Sequence, residues 1–116
     1  MRRLLAPLAI ALVPAAALAH AFLDRAVPPV GGTIAAPREI RLFFTEAVEP
    51  AFSGIALAGA GGEKIATAAA APDPADPKEL VLPVPPLAAG TYTVTWHVVS
   101  TDTHRTEGHF SFTVKP

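Results

Sequence analysis

Asp102 and His104 stand two positions apart in the run Ser100-Thr-Asp-Thr-His104. In an extended chain, side chains two apart point to the same side. A carboxylate and an imidazole held that way make half of a metal site. The histidine that could supply the other half is His20, far away in sequence. Residues 4–18 are apolar apart from Pro7 and Pro14, follow a basic Met1-Arg2-Arg3 start, and run into Ala17-Leu18-Ala19, a small-x-small pattern. Residues 1–19 therefore read as a secretory signal peptide cleaved after Ala19. A membrane anchor is the competing reading, but the apolar run is shorter than ~20 residues and broken by prolines.

Cleavage would make His20 the first residue of a mature domain over 20–116. Its α-amine would then be free, with an ordinary pKa of about 7.7–8.0. An N-terminal histidine can hold one metal through both its amine and the near ring nitrogen, closing a chelate ring that lowers the entropic cost of the second bond. Asp102 and His104 would complete the plane, giving three nitrogens and one oxygen. A tetragonal set of that kind favours Cu(II), one ion per chain. Binding must displace the amine proton, so affinity should fall with pH.

The same residues also fit a plain reading, with His20 a loose terminus and Asp102 a turn residue bonding its own backbone. Other groups rank lower. His97 has the opposite parity to Val94, Trp96 and Val98, and His109 the opposite parity to Phe110 and Phe112, so both are expected on the solvent face; His109 stays open as an additional or substitute ligand. Glu46 ends a strand and could accept a hydrogen bond beside the site. Asp24 and Glu107 read as solvated.

Composition narrows the classes. The chain has 116 residues, which suits one domain, with 9 basic and 10 acidic residues and no cysteine. Loss of Arg2 and Arg3 leaves the mature part acidic, against a nucleic-acid partner. Without thiols, and with Met1 the single methionine, metal ligands must be nitrogen and oxygen. No Gly-x-Ser-x-Gly, His-Glu-x-x-His or phosphate-binding glycine loop is present.

The elements that must position these residues read as β. Thirteen prolines and eight glycines divide the chain into short segments. Strands are expected over 21–27, 39–46, 52–58, 63–67 and 79–84, with a turn at 28–32 and a loop over 68–78. Ile40, Leu42 and Phe44 alternate inward, while Phe43 breaks the pattern. Residues 92–114 read as a long hairpin whose connection carries Asp102 and His104. Tyr92, Val94, Trp96 and Val98 form one core row and Phe110, Phe112 and Val114 another. About seven short strands predict an all-β, immunoglobulin-like Greek-key β-sandwich.

At these residues the chain resembles the CopC family of periplasmic copper-resistance proteins. The matching pieces are His20-Ala-x-Leu23, Pro28-x-x-Gly31, Leu42-x-Phe44-Thr-Glu46, and Leu87-x-x-Gly90-x-Tyr92-x-Val-x-Trp96-x-Val98-Val-Ser100-x-Asp102-x-His104-x-x-x-Gly108-x-Phe110-x-Phe112-x-Val114. The resemblance implies an immunoglobulin-like sandwich binding a single Cu(II) through His20, Asp102 and His104, with Glu46 close to the copper. Some members carry a second, methionine-rich Cu(I) site; residues 56–77 here contain no methionine, so none is expected. The resemblance further implies an inner-membrane copper transporter of the CopD type as partner. A monomeric, non-enzymatic copper carrier in the periplasm is the expectation.

Two alternatives remain in view. An N-terminal histidine chelate also resembles the copper site of polysaccharide monooxygenases, which use a similar sandwich. The chain is short for a flat polysaccharide surface, and Asp102 would fill a position that oxygen chemistry needs open. The third reading is a metal-free interaction sandwich.

Overall fold

A computed structural model describes residues 21–116. The signal peptide expected over 1–19, and His20, lie outside the described residues. Among those described, nine strands form two sheets: β1 (Leu23–Val27), β2 (Thr33–Ile34), β3 (Glu39–Phe44), β4 (Gly54–Ala58), β5 (Lys64–Ile65), β6 (Ala71–Asp73), β7 (Asp76–Pro83), β8 (Gly90–Val99) and β9 (Arg105–Val114). One sheet has the order β1-β3-β7-β6 and the other β2-β9-β8-β4-β5. Non-consecutive neighbours such as β3 and β7, or β8 and β4, require the chain to cross between sheets. The expected sandwich is the observed fold.

The core lies between the sheets, built from the alternation the sequence displays. Ile40, Leu42 and Phe44 of β3 and Leu80 and Leu82 of β7 face Tyr92, Val94, Trp96 and Val98 of β8 and Phe110, Phe112 and Val114 of β9, all buried. The sheets meet where the rings of Phe44 and Trp96 pack edge to face, 5.2 Å between centroids. Trp96 lies opposite Gly108 on β9. A Cβ at position 108 would stand 2.7 Å from the indole Cζ2, so only glycine leaves the ring its place. The Tyr92 hydroxyl satisfies itself by donating to the Ala88 carbonyl at 2.6 Å, four residues upstream, as tyrosine corners of such sandwiches do.

Phe43, the residue that broke the pattern of β3, points the other way. The guanidinium of Arg25 sits 3.7 Å above its ring centroid, a cation–π contact that covers an aromatic on the outer face.

Three expectations need correction. The strand expected over 52–58 begins only at Gly54, because Pro50–Phe52 form a 3-10 turn that leaves Phe52 66% exposed. Residues 68–78, expected as a loop, contain β6 and the start of β7. Pro72 is tolerated because β6 is the outermost strand of its sheet, where it has no second neighbour to bond; Pro74 lies in the turn, and Pro77 precedes the residues of β7 that pair with β3. The turn between them is built by Asp73, whose Oδ1 accepts the Ala75 N–H at 2.8 Å. Finally, β2 was not foreseen; it adds two residues parallel to β9, pairing Thr33 with Thr113.

On the outer face of β3 and β7, Arg41 gathers three carboxylates. It contacts Glu39, Asp73 at 3.1 Å and the buried Glu79 at 2.6 Å. These bonds raise the pKa of the guanidinium above its ordinary value, Glu79 contributing most. The Asp73 carboxyl is held below the usual carboxylate range, first by the Ala75 N–H and then by Arg41.

Candidate metal site

Strands β8 and β9 pair without a break from Gly90↔Val114 to Val99↔Arg105, leaving residues 100–104 to close the hairpin. The closure is a tight turn. The Ser100 N–H donates to the His104 carbonyl at 2.9 Å, and the Thr103 N–H to the Ser100 carbonyl at 2.8 Å. Thr103 has φ +73°, a left-handed conformation unusual for a β-branched residue. Asp102 and His104 are therefore neighbours because the turn folds them together, and not because the chain between them is extended.

The two side chains meet. His104 Nδ1 lies 3.2 Å from Asp102 Oδ2, and both groups are partly exposed. Two donor atoms at right angles on one metal, each about 2.0–2.1 Å from it, are about 2.9 Å apart. The pair thus has nearly the spacing of adjacent ligands on a single ion. The other carboxylate oxygen, Oδ1, accepts the Ser100 hydroxyl proton. That bond, then the one to His104, holds the Asp102 carboxyl below the usual carboxylate range, so it is an anion throughout the neutral range.

A second segment is docked at this end of the sandwich. Ala21 is fully buried, and its carbonyl accepts the Thr106 hydroxyl at 2.5 Å. Phe22 is bonded twice to Thr45: its N–H reaches the Thr45 hydroxyl and its carbonyl takes the Thr45 N–H, both at 2.9 Å. Thr106 follows His104 by two residues and Thr45 follows β3 directly. The residue that succeeds His20 in sequence is therefore fixed beside the turn that carries Asp102 and His104.

Glu46 is half-buried in the bend after β3. Its neighbour Ala47 accepts the Thr101 N–H at 3.2 Å, which brings the bend alongside the turn. Even so, among the described residues no third histidine or carboxylate joins Asp102 and His104 in a metal-sized group. His97 and His109 lie elsewhere. They face outward on β8 and β9, paired with Glu107 and Thr95, and both line a shallow depression of about 250 Å³. His109 is five residues along β9 from His104, roughly 17 Å in a strand. The His97 ring lies over Gly54, where a Cβ would stand 2.8 Å from its Cε1. Sequence reasoning missed Ser100, Thr106 and Thr45, which hold the two segments; only the Ser100-x-Asp102 spacing carried a hint.

Comparison with known proteins identifies the family. The CopC domain model matches residues 23–115. Protein YobA of Escherichia coli (strain K12) is 44% identical over 117 residues, covering 99% of this chain and 94% of the relative. Copper resistance protein C of Pseudomonas syringae pv. tomato is 42% identical over 110 residues, covering 90% and 87%. Among solved structures, CopC from Methylosinus trichosporium OB3b superposes with a TM-score of 0.79 at 39% identity, covering 84% of this chain and 95% of that one. PcoC from Escherichia coli, a methionine-rich copper resistance protein, gives 0.75 at 43%, covering 84% and 100%. The chain belongs to the CopC family, whose members bind copper and are not enzymes. The oxidative-enzyme alternative is thereby set aside.

Proposed function

We propose that this protein binds a single Cu(II) ion in the periplasm and carries it to an inner-membrane copper transporter of the CopD type. His20 would supply its amine and imidazole once residues 1–19 are removed, Asp102 a carboxylate oxygen and His104 an imidazole nitrogen. Glu46 would stand beside these ligands and accept a hydrogen bond. The observation that carries the reading is the 3.2 Å pairing of His104 Nδ1 with Asp102 Oδ2 at the end where Ala21 is docked.

The donor set supports Cu(II) in particular. Residues 21–116 contain neither cysteine nor methionine, so the soft sulfur ligands that favour Cu(I) are missing. In that respect the chain departs from PcoC, described as methionine-rich. The carrier reading leaves the protein with one site and one oxidation state, and its task is capture and release.

A Cu(II) titration of the protein beginning at His20 tests this. One equivalent should bind tightly, and Asp102→Ala and His104→Ala should each weaken binding sharply. Unchanged binding in both variants would remove the hairpin from the site.

A further inference from the structure

We propose that Ser100 is the positioning residue of the copper site, holding the Asp102 carboxylate in the orientation in which it meets the metal. The inference rests on the reading that Asp102 and His104 are ligands. Ser100 itself is not placed to touch the ion; it acts through its neighbours.

Ser100 is one of only two polar or charged residues buried among the described residues, 1% exposed, and it grips every residue of the turn that matters. Its hydroxyl donates to Asp102 Oδ1. Its N–H donates to the His104 carbonyl at 2.9 Å, and its own carbonyl accepts the Thr103 N–H at 2.8 Å. The hydroxyl oxygen also lies 3.2 Å from the His104 carbonyl. Ser100 is anchored from behind through its bridge to Val48, and Val48 in turn donates to the Pro77 carbonyl at 3.1 Å. A buried, fixed hydroxyl thus occupies one carboxylate oxygen, and the rotation that this sets leaves Oδ2 facing His104 Nδ1.

Two effects of that hydrogen bond oppose each other. Donation draws charge from the carboxylate, which by itself weakens a metal–oxygen bond. It also removes the rotational freedom that binding would otherwise have to freeze, and presents Oδ2 beside the imidazole in advance. The other restraints on the carboxylate come from His104, through its ring and its main chain, so Ser100 is the buried restraint from outside the ligand pair and orientation dominates.

The test is Cu(II) affinity and electron paramagnetic resonance on the chain beginning at His20, for wild type, Ser100→Ala, Ser100→Thr and Ser100→Val. Alanine keeps both main-chain bonds of the turn and loses only the hydroxyl. Affinity should fall about tenfold or more, as for loss of a hydrogen bond to a charged group, and the spectrum should change as the carboxylate reorients. Threonine and valine share a shape and differ in the hydroxyl, so threonine should retain the wild-type spectrum and valine should not. This contrast also serves if the alanine variant fails to fold. A merely structural serine would lower the melting temperature of the metal-free protein and leave the loaded spectrum unmoved. Wild-type affinity and spectrum in Ser100→Ala, or tighter binding, overturns the inference while leaving the copper reading intact. Failure of the wild-type protein to bind Cu(II) overturns both.

Discussion

The Thr106 hydroxyl donates to the main-chain carbonyl of Ala21 across 85 residues of sequence, at 2.5 Å. This bond joins the start of the described chain to the strand that leaves the Asp102–His104 turn. A buried carbonyl deprived of its donor is costly, about 1–3 kcal/mol. Thr106→Val should therefore lower stability by that order, and Thr106→Ser should restore it. If the N-terminal segment completes the copper site, the valine variant should also bind Cu(II) more weakly. Calorimetric titration beside thermal melts checks both; full affinity in a destabilised valine variant would separate the docking from the site.

Packing at Trp96 gives a second expectation. Gly108→Ala places a methyl 2.7 Å from the indole Cζ2, and the ring cannot yield without disturbing its contact with Phe44. Overpacking of this kind costs about 1–3 kcal/mol. Urea denaturation should show the loss, with a shift in tryptophan fluorescence. A wild-type midpoint would mean that Trp96 has room to move.

Acid stability should depend on the cluster around Arg41. The folded-state pKa of Asp73 lies below its ordinary value. Its contribution is therefore complete above the unfolded pKa of about 3.9 and disappears as pH falls through the folded value. Asp73→Asn keeps an oxygen for the Ala75 N–H but loses the charge, so its deficit in melting temperature should be largest near neutrality and vanish in strong acid. Arg41→Ala should reverse the slope. Glu39, Asp73 and Glu79 would then repel one another, and mild acid would stabilise the variant. Melting curves between pH 2 and 7, a range that spans ordinary carboxylate titration, test the sign; parallel profiles for all three proteins would contradict it.

The parts of this fold that were readable are those with enough alternation to show a period. Residues 39–44 and the ten-residue strands β8 and β9 display their inward rows directly, and every residue of those rows is buried. Strands β2 and β6 were not readable, because two or three residues have no period and β6 carries a proline; β5 is as short and was legible only through the Gly61-Gly62 turn before it. Of the candidate site, the pairing of Asp102 with His104 was legible in residue type and not in cause. Asp102 and His104 stood out, but the left-handed Thr103 that folds them together gives no signal in a threonine. The bonds from Thr106 to Ala21 and from Thr45 to Phe22 join positions that only the tertiary fold brings together.

Copper binding should weaken in acid for a reason independent of the fold. On the proposed chelate, the amine of His20, ordinarily near pKa 7.7–8.0, would have to lose its proton to bind. Affinity measured from pH 8 downward should therefore fall steadily, and acetylation of the amine should abolish the steepest part of that dependence.

The most direct test of the copper reading compares two proteins by Cu(II) titration with electron paramagnetic resonance: one beginning at His20, and one carrying a single extra glycine before it. The amine-chelate account expects one tight tetragonal site in the first, and a much weaker site with an altered spectrum in the second. Equal affinity and identical spectra would show that the amine is not a ligand, and would contradict the account at its centre.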